Sequence, residues 1–304
     1  MNYIDLQVNG YKGVDFNSDQ LTPDEMHTVC VRLREDGVGD FLPTIITDNI
    51  PAMSSRLKRL VELRAADPLV KDLVAGFHIE GPFLNETEGY IGAHPVKYVL
   101  PANQDDMQRL LDSAAGLTRI VTLAPERDEG FRVTRMLADA GICVSAGHCD
   151  ASLDQLKAGI DAGLAMFTHL GNGCPAEMHR HDNIIQRVLS LADRLWISFI
   201  ADGCHIPTFV LKNFFRSVGL KRCVLVTDAI SAAGLGPGRF QVGGQTFLVG
   251  EDGIPRTGDG KYFAGSGVTI PKMAQFARDE LELTGEEIDL LMSANPRRIL
   301  NDPS

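Results

Sequence analysis

FHIEGPFLN, residues Phe77 to Asn85, is the stretch on which the reading of the fold turns. An apolar run beginning at Val74 leads into His78 and Glu80, and Gly81-Pro82 stops it. Alternate residues of a strand share a face, so the imidazole and the carboxylate point the same way where the strand ends. A buried strand that ends in ionisable groups either meets water there or holds something. One strand cannot decide between these, but a set of strands ending in the same manner can.

Working outward, short apolar runs recur along the whole chain. The candidate strands are 3–9, 41–47, 74–80, 119–126, 143–148, 165–172, 197–203 and 223–229. Their starts lie about 20 to 45 residues apart, the range of βα units. The pieces between them read as helices. Thr22-Pro23-Asp24-Glu25 is a capping box, with Thr22 as N-cap, Pro23 at the first helical position and Glu25 three residues on. Ser152-Leu153 opens a second helical segment that closes at Gly163. Eight such units in 304 residues predict a TIM (β/α)8 barrel, with residues 1–304 forming a single catalytic domain. The rival, a doubly wound open sheet, would place GxGxxG after the first strand, and the sequence has none there. Residues 239–265 read as a hairpin or long loop after the eighth strand, and helical segments are expected at 266–281 and 285–301.

Composition narrows the function classes. With 44% hydrophobic and 23% charged residues the balance is that of a globular protein. A net charge of -11 argues against nucleic acid and anionic membrane as partners, so an anionic substrate would need a local basic cluster. No apolar run approaches the ~20 residues of a membrane span, and the N-terminus lacks the pattern of a signal peptide. Six cysteines without CxxC pairing suit reduced thiols and a cytoplasmic location.

The polar residues cluster at the ends of the strands. The first strand gives Asp5, Gln7 and Asn9, the third His78 and Glu80, the fifth His148, and the sixth His169 and Asn172. The seventh gives Asp202 and His205, and the eighth Asp228. A single polar residue at a strand end is most often just solvated, but barrel active sites lie at the C-terminal ends of strands, and five acids and imidazoles obey that rule here. One carboxylate with two imidazoles is a catalytic zinc set that keeps a position open for water. Imidazole also suits iron and other first-row ions, so zinc is expected without being fixed. Asp228, alone at the end of the last strand, is the candidate for moving protons.

FHIEGPFLN, SAGHCDAS, FTHLGNGCP, ADGCHIP, LVTDA and FAGSGVT, in this order, resemble the motifs of the N-acetylglucosamine-6-phosphate deacetylases, a family of the amidohydrolase superfamily of TIM-barrel metal hydrolases. IDLQVNG resembles the family's first-strand motif and SANPRRIL its closing helix, so the match runs from about Ile4 to Leu300. The resemblance implies that Glu80, His148 and His169 hold the metal, with Asp228 as catalytic acid and base and His94 aimed at the acetyl carbonyl. It puts His205, Asn172 and Gly173 near the sugar phosphate and Arg180 at the place of a phosphate-binding arginine that serves the neighbouring subunit, which implies a homodimer. Gln7 and Asn9 stand where many amidohydrolases carry HxH, and amides are poor ligands, so one ion is expected rather than two. The implied reaction is hydrolysis of the acetamide of N-acetylglucosamine 6-phosphate to glucosamine 6-phosphate and acetate. An amidohydrolase acting on another acylated sugar or amide is the near alternative, and a non-catalytic sugar-phosphate sensor the distant one.

Three features depart from the resemblance or stand outside it. The small β-sandwich domain usual in the family is expected to be absent. His179 and His181 flank Arg180, either adding charge for an anion or forming a solvated loop. Cys149, Cys174 and Cys204 lie close to matched positions, where small packing residues are the plain expectation. His78 is expected beneath the metal rather than on it, and Asp202 is expected to orient the loop of His205.

Overall fold

The computed structural model describes residues 2–302. All eight expected strands form, at Tyr3–Val8, Val38–Ile46, Phe77–Glu80, Thr118–Leu123, Cys143–Ala146, Leu164–Phe167, Trp196–Ile200 and Cys223–Val226. They lie side by side in chain order, each parallel to the next. The first and eighth close the cylinder through an isolated parallel bridge, Val8 to Ala229. Asp228 N donates to the Gln7 carbonyl at 3.0 Å and Asn9 N to the Ala229 carbonyl at 2.8 Å. Below them the Asp5 side chain takes the place of further ladder bonds. Its Oδ1 accepts from Gln7 N (3.3 Å) and Thr227 N (3.2 Å), and its Oδ2 accepts from the Thr227 hydroxyl (2.6 Å). This is the TIM barrel that the strand rhythm predicts.

Strand alternation sorts the side chains into two cores. Phe77, Ile79, Val121, Leu123 and Val144 belong to the large cluster between strands and helices. Ile4, Leu6, Leu42, Ile120, Met166 and Val224 form a second cluster within the barrel, joined by Ile299 of the last helix. Above it lies a polar layer. His78 Nδ1 meets the Leu6 carbonyl at 3.1 Å and its Nε2 meets Thr122 Oγ1 at 2.8 Å. Thr122, Thr168 and Ser145 continue the chain at 2.8 and 2.6 Å. A carbonyl only accepts, so Nδ1 carries the proton and the Thr122 hydroxyl donates to Nε2. Burial pushes His78 down to about 4, so this ring is neutral near pH 7.

The helices follow their local signals. Pro23–Glu35 begins at the Thr22 capping box and buries Met26, Val29, Cys30 and Leu33, at i, i+3, i+4 and i+7 along one face. Burying side chains of this kind contributes about 1.5–3 kcal/mol each. Leu153–Asp161 starts at Ser152, with Gln155 completing its capping box. The expected 266–281 segment is the helix Ile270–Asp279. The expected 285–301 segment is interrupted: Gly285–Asp289 and Asn295–Asn301 flank a π-helical turn, Leu290–Ala294. Pro296 has no N–H and crowds the preceding turn, which widens the helix there. The hairpin after the eighth strand is present and gains a short third strand: Gly238–Val242, Gln245–Val249 and Pro255–Arg256 form an antiparallel sheet. Gly243 and Gly244 take the two positive φ angles of its tight turn. Val242 and Phe247 of this sheet pack on Ile230 and Ala264 at the mouth of the barrel. Among the described residues no helix is long and apolar enough to cross a membrane.

Candidate metal centre and substrate pocket

The strands stop earlier than the apolar runs suggest. The fifth, sixth and eighth end at Ala146, Phe167 and Val226, and His148, His169 and Asp228 follow with φ of 50°, 37° and 49°. Left-handed backbone at residues other than glycine costs about 1–3 kcal/mol each and concentrates at functional sites. Here the turn swings each side chain over the barrel mouth instead of leaving it on a strand face.

Glu80, the last residue of the third strand, meets two of these side chains. The ligand atoms of Glu80, His148 and His169 all lie within 4.8 Å of one another, and all three residues are buried. His169 Nε2 is 3.1 Å and His148 Nε2 3.5 Å from Glu80 Oε1. His148 Nδ1 donates to the Tyr90 carbonyl at 2.8 Å, which leaves the lone pair on Nε2, facing Glu80. Ser198 Oγ accepts from His169 N at 2.8 Å and fixes that loop. Behind His148, Asn85 N donates to its carbonyl at 3.0 Å. Glu126 braces the same loop by accepting from Asn85 Nδ2 (2.8 Å) and Asp150 N (2.6 Å). One carboxylate and two imidazoles, with nitrogen lone pairs converging on a buried point, fit a divalent first-row ion. The first strand contributes donors instead: Gln7 Nε2 gives to Glu80 Oε1 at 3.1 Å and Asn9 Nδ2 to Asp228 Oδ1 at 2.7 Å.

Burial pushes the Glu80 carboxyl up, but the adjoining imidazoles, His148 and His169 first, outweigh it and hold Glu80 well below the usual range. Burial, and then the charge of Glu80, pushes Asp228 up to about 7. A cation at the centre opposes that rise. Burial, and then the neighbouring His148, pushes His94 down to about 3, so this imidazole is neutral. Its ring stands edge-on to His148 with centroids 4.5 Å apart, its Nε2 lies 3.9 Å from Glu80 Oε2, and its buried Nδ1 has no hydrogen-bond partner among the described residues.

These groups line one cavity of about 530 Å³, a volume suited to a small organic ligand. His94, Asn172, Gly173, His205 and Asp228 share it with the three candidate ligands. Asn172 Nδ2 is buried without a hydrogen-bond partner among the described residues. Gly173, at φ +60°, passes so close to His148 that a Cβ would lie 2.9 Å from Nδ1. His205 Nδ1 is 2.7 Å from Asp202 Oδ2, and Asp202 also accepts from the His205 and Cys204 backbone, so Asp202 orients that loop. Burial pushes Asp202 up, but the His205 hydrogen bond outweighs it and the carboxyl falls below its usual range. His78 sits one layer down, outside the ligand group.

Arg180 is not brought to this cavity. It is exposed and absent from the lining of the pocket in its own chain. His179 Nδ1 accepts from Asp182 N at 2.9 Å and the His179 carbonyl from Asn183 Nδ2 at 2.8 Å, so this histidine builds the turn into the helix Ile184–Leu189. Cys149 is buried, Cys174 lines the pocket and Cys204 is exposed, and all six cysteines are free. Sequence reasoning did not find the apolar wall of Ile46, Ile230, Val242, Phe247 and Phe263, nor the rim residues Lys261 and Tyr262. The FAGSG motif that follows them was the available signal.

Fold and centre together define the class: a TIM-barrel hydrolase of the amidohydrolase type, with a ligand set for a metal ion at the C-terminal mouth. The chain is 34% identical over 285 residues to N-acetylglucosamine-6-phosphate deacetylase of Bacillus subtilis, covering 92% of this chain and 69% of that protein. It is 35% identical to the enzyme of the same name from Homo sapiens, over 96% and 71% of the two chains. It is also 30% identical to N-acetylgalactosamine-6-phosphate deacetylase of Escherichia coli O157:H7, over 98% and 77%. A Mycobacterium smegmatis N-acetyl-D-glucosamine-6-phosphate deacetylase variant in complex with N-acetyl-D-glucosamine-6-phosphate superposes with a TM-score of 0.88 at 26% identity, covering 100% of this chain and 78% of that one. No family model matches. The chain belongs to the N-acetylglucosamine-6-phosphate deacetylase family.

Proposed function

We propose that this protein hydrolyses the acetamide of N-acetylglucosamine 6-phosphate, giving glucosamine 6-phosphate and acetate. The observation that carries the reading is the convergence of Glu80, His148 and His169 beside Asp228 in a chain of this family. Glu80, His148 and His169 would hold one divalent ion, zinc first among the candidates and iron second. The chemistry supplied by that ion when bound is Lewis acidity, which acidifies water towards neutral pH and polarises a carbonyl. Asp228 Oδ2 takes the proton of the attacking water and delivers it to the leaving nitrogen, while Asn9 holds Oδ1 in place. Neutral His94 donates a hydrogen bond to the oxygen that gains charge. Asn172, Gly173 and His205 hold the sugar phosphate so that the amide lies against the nucleophile, and the apolar wall around Phe247 limits access of bulk water.

The barrel that carries these residues is the proposed catalytic domain. A homodimer is proposed in which Arg180 reaches the neighbouring pocket. Six free cysteines favour a reducing cytoplasmic setting.

The test is acetate release by the metal-loaded protein, assayed with N-acetylglucosamine 6-phosphate and its 4-epimer, because one relative is an N-acetylgalactosamine-6-phosphate deacetylase. Asp228→Asn is expected to lower kcat by about a hundred- to ten-thousand-fold with metal content unchanged. Chelation is expected to abolish turnover and re-addition of zinc to restore it. Undiminished turnover in Asp228→Asn, or activity indifferent to chelator, would remove the reading.

A further inference from the structure

Among the described residues that line the substrate cavity, Lys261 is the sole lysine or arginine. We propose that Lys261 is the in-chain counter-charge for the substrate's phosphate and sets the preference for phosphorylated over neutral amino sugars. The proposal deepens the reading of the cavity as an amino sugar phosphate site and rests on it.

The charge balance asks for such a group. The chain carries a net -11, and the divalent ion that the floor would hold is offset there by Glu80 and Asp228. A phosphate dianion entering there is repelled unless a cation meets it. The imidazoles at the floor are committed: His148 and His169 to the metal, with His94 packed edge-on against His148 beside them. Arg180 of the same chain lies outside the cavity.

The position of Lys261 suits the far end of the substrate. It stands two residues before Phe263, whose ring packs edge-on to His205 with centroids 5.0 Å apart. His205 is the group expected beside the phosphate, so the segment that carries Lys261 passes that side of the cavity it lines. Its present partner is weak. Lys261 Nζ lies 3.7 Å from Glu88 Oε1, and the two side chains are 62% and 78% exposed. An exposed pair at that separation contributes little and is screened by salt. Tyr262 donates to the same Glu88 oxygen at 3.2 Å, so the two lips of the mouth stay joined when the lysine leaves. A four-carbon stem lets the ammonium swing from Glu88 to an incoming phosphate, a stronger charge-assisted acceptor.

The test compares Lys261→Met and Lys261→Arg with wild type, all metal-loaded. Titration calorimetry measures binding of glucosamine 6-phosphate and of glucosamine, and acetate release gives kcat and KM. In Lys261→Met the ratio of the two Kd values is expected to fall about tenfold. KM for the phosphorylated substrate should rise by a similar factor, with a smaller change in kcat. Lys261→Arg should recover most of the ratio. An unchanged ratio in Lys261→Met, or equal weakening towards both sugars, overturns the proposal. A wild type that releases no acetate defeats the proposed function, and the binding ratio still judges Lys261. If that wild type also binds both sugars alike, Lys261 is not a phosphate group.

Discussion

Gly173 lies against His148 because the loop after the sixth strand must cross the face of that imidazole. The crossing has two requirements, a backbone at φ +60° and no side chain, since a Cβ would sit 2.9 Å from Nδ1. The same Nδ1 donates to the Tyr90 carbonyl and so aims Nε2 at the centre. Gly173→Ala is therefore expected to act through the metal site. Zinc titrated into the apo-variant should bind about 10–100-fold more weakly, and denaturant unfolding should show a loss of about 1–3 kcal/mol. Unchanged zinc affinity would show that the loop and the ring are independent. At this scale much was legible in the sequence. Glu80 shares a strand face with His78, and His148, His169 and Asp228 each follow an apolar run. Their left-handed backbone was not legible, because a local pattern does not reveal which side of a strand end the next turn takes. Lys261 was invisible for another reason: its place at the mouth comes from its pairing with Glu88, more than a hundred positions away, and from the packing of its neighbour Phe263 on His205.

The seam between the first and eighth strands is an element held together by a side chain. Asp5 accepts three hydrogen bonds there, from Gln7 N, Thr227 N and the Thr227 hydroxyl. Burial, the largest influence, nonetheless pushes its carboxyl up to about 7. An acid whose pKa is raised on folding binds its proton more tightly in the folded state. Its contribution to stability is complete below the unfolded value near 3.8 and is lost as pH rises through about 7. The amide of Asp5→Asn does not titrate. The stability difference between variant and wild type should then move in favour of the variant from pH 5 to pH 8, with a slope of at most about 1.4 kcal/mol per pH unit. Urea unfolding at four or five pH values measures it, and a flat difference would mean that Asp5 folds already ionised. The order of elements could be read from periodicity and caps. Two breaks could not: the π-helical turn before Pro296 and the third strand of the mouth sheet. The turn is a compromise between proline and the docking of Asn295, whose Nδ2 donates to the Leu220 and Cys223 carbonyls at 2.8 Å each. The strand at Pro255–Arg256 spans two residues, too short for an alternating pattern to show.

At the scale of the whole molecule, the proposed site for an anionic substrate sits in a protein of strongly negative charge, and its proposed basic groups meet at the mouth. Lys261 comes from within the chain, and the proposed dimer adds Arg180 from the other subunit. That arrangement makes a prediction that no single subunit can satisfy. In a mixture of Asp228→Asn and Arg180→Ala chains, denatured together and refolded or co-expressed, the hybrid dimer pairs the intact Asp228 of one chain with the intact Arg180 of the other. Random pairing makes about half of the dimers hybrid, each with one complete site, so the mixture should recover about a quarter of wild-type activity. The assay is run with phosphorylated substrate below the wild-type KM, where loss of a phosphate contact is fully felt. If Arg180 instead served its own chain, the hybrid would contain no complete site, and the mixture would show only the average of the two separate variants.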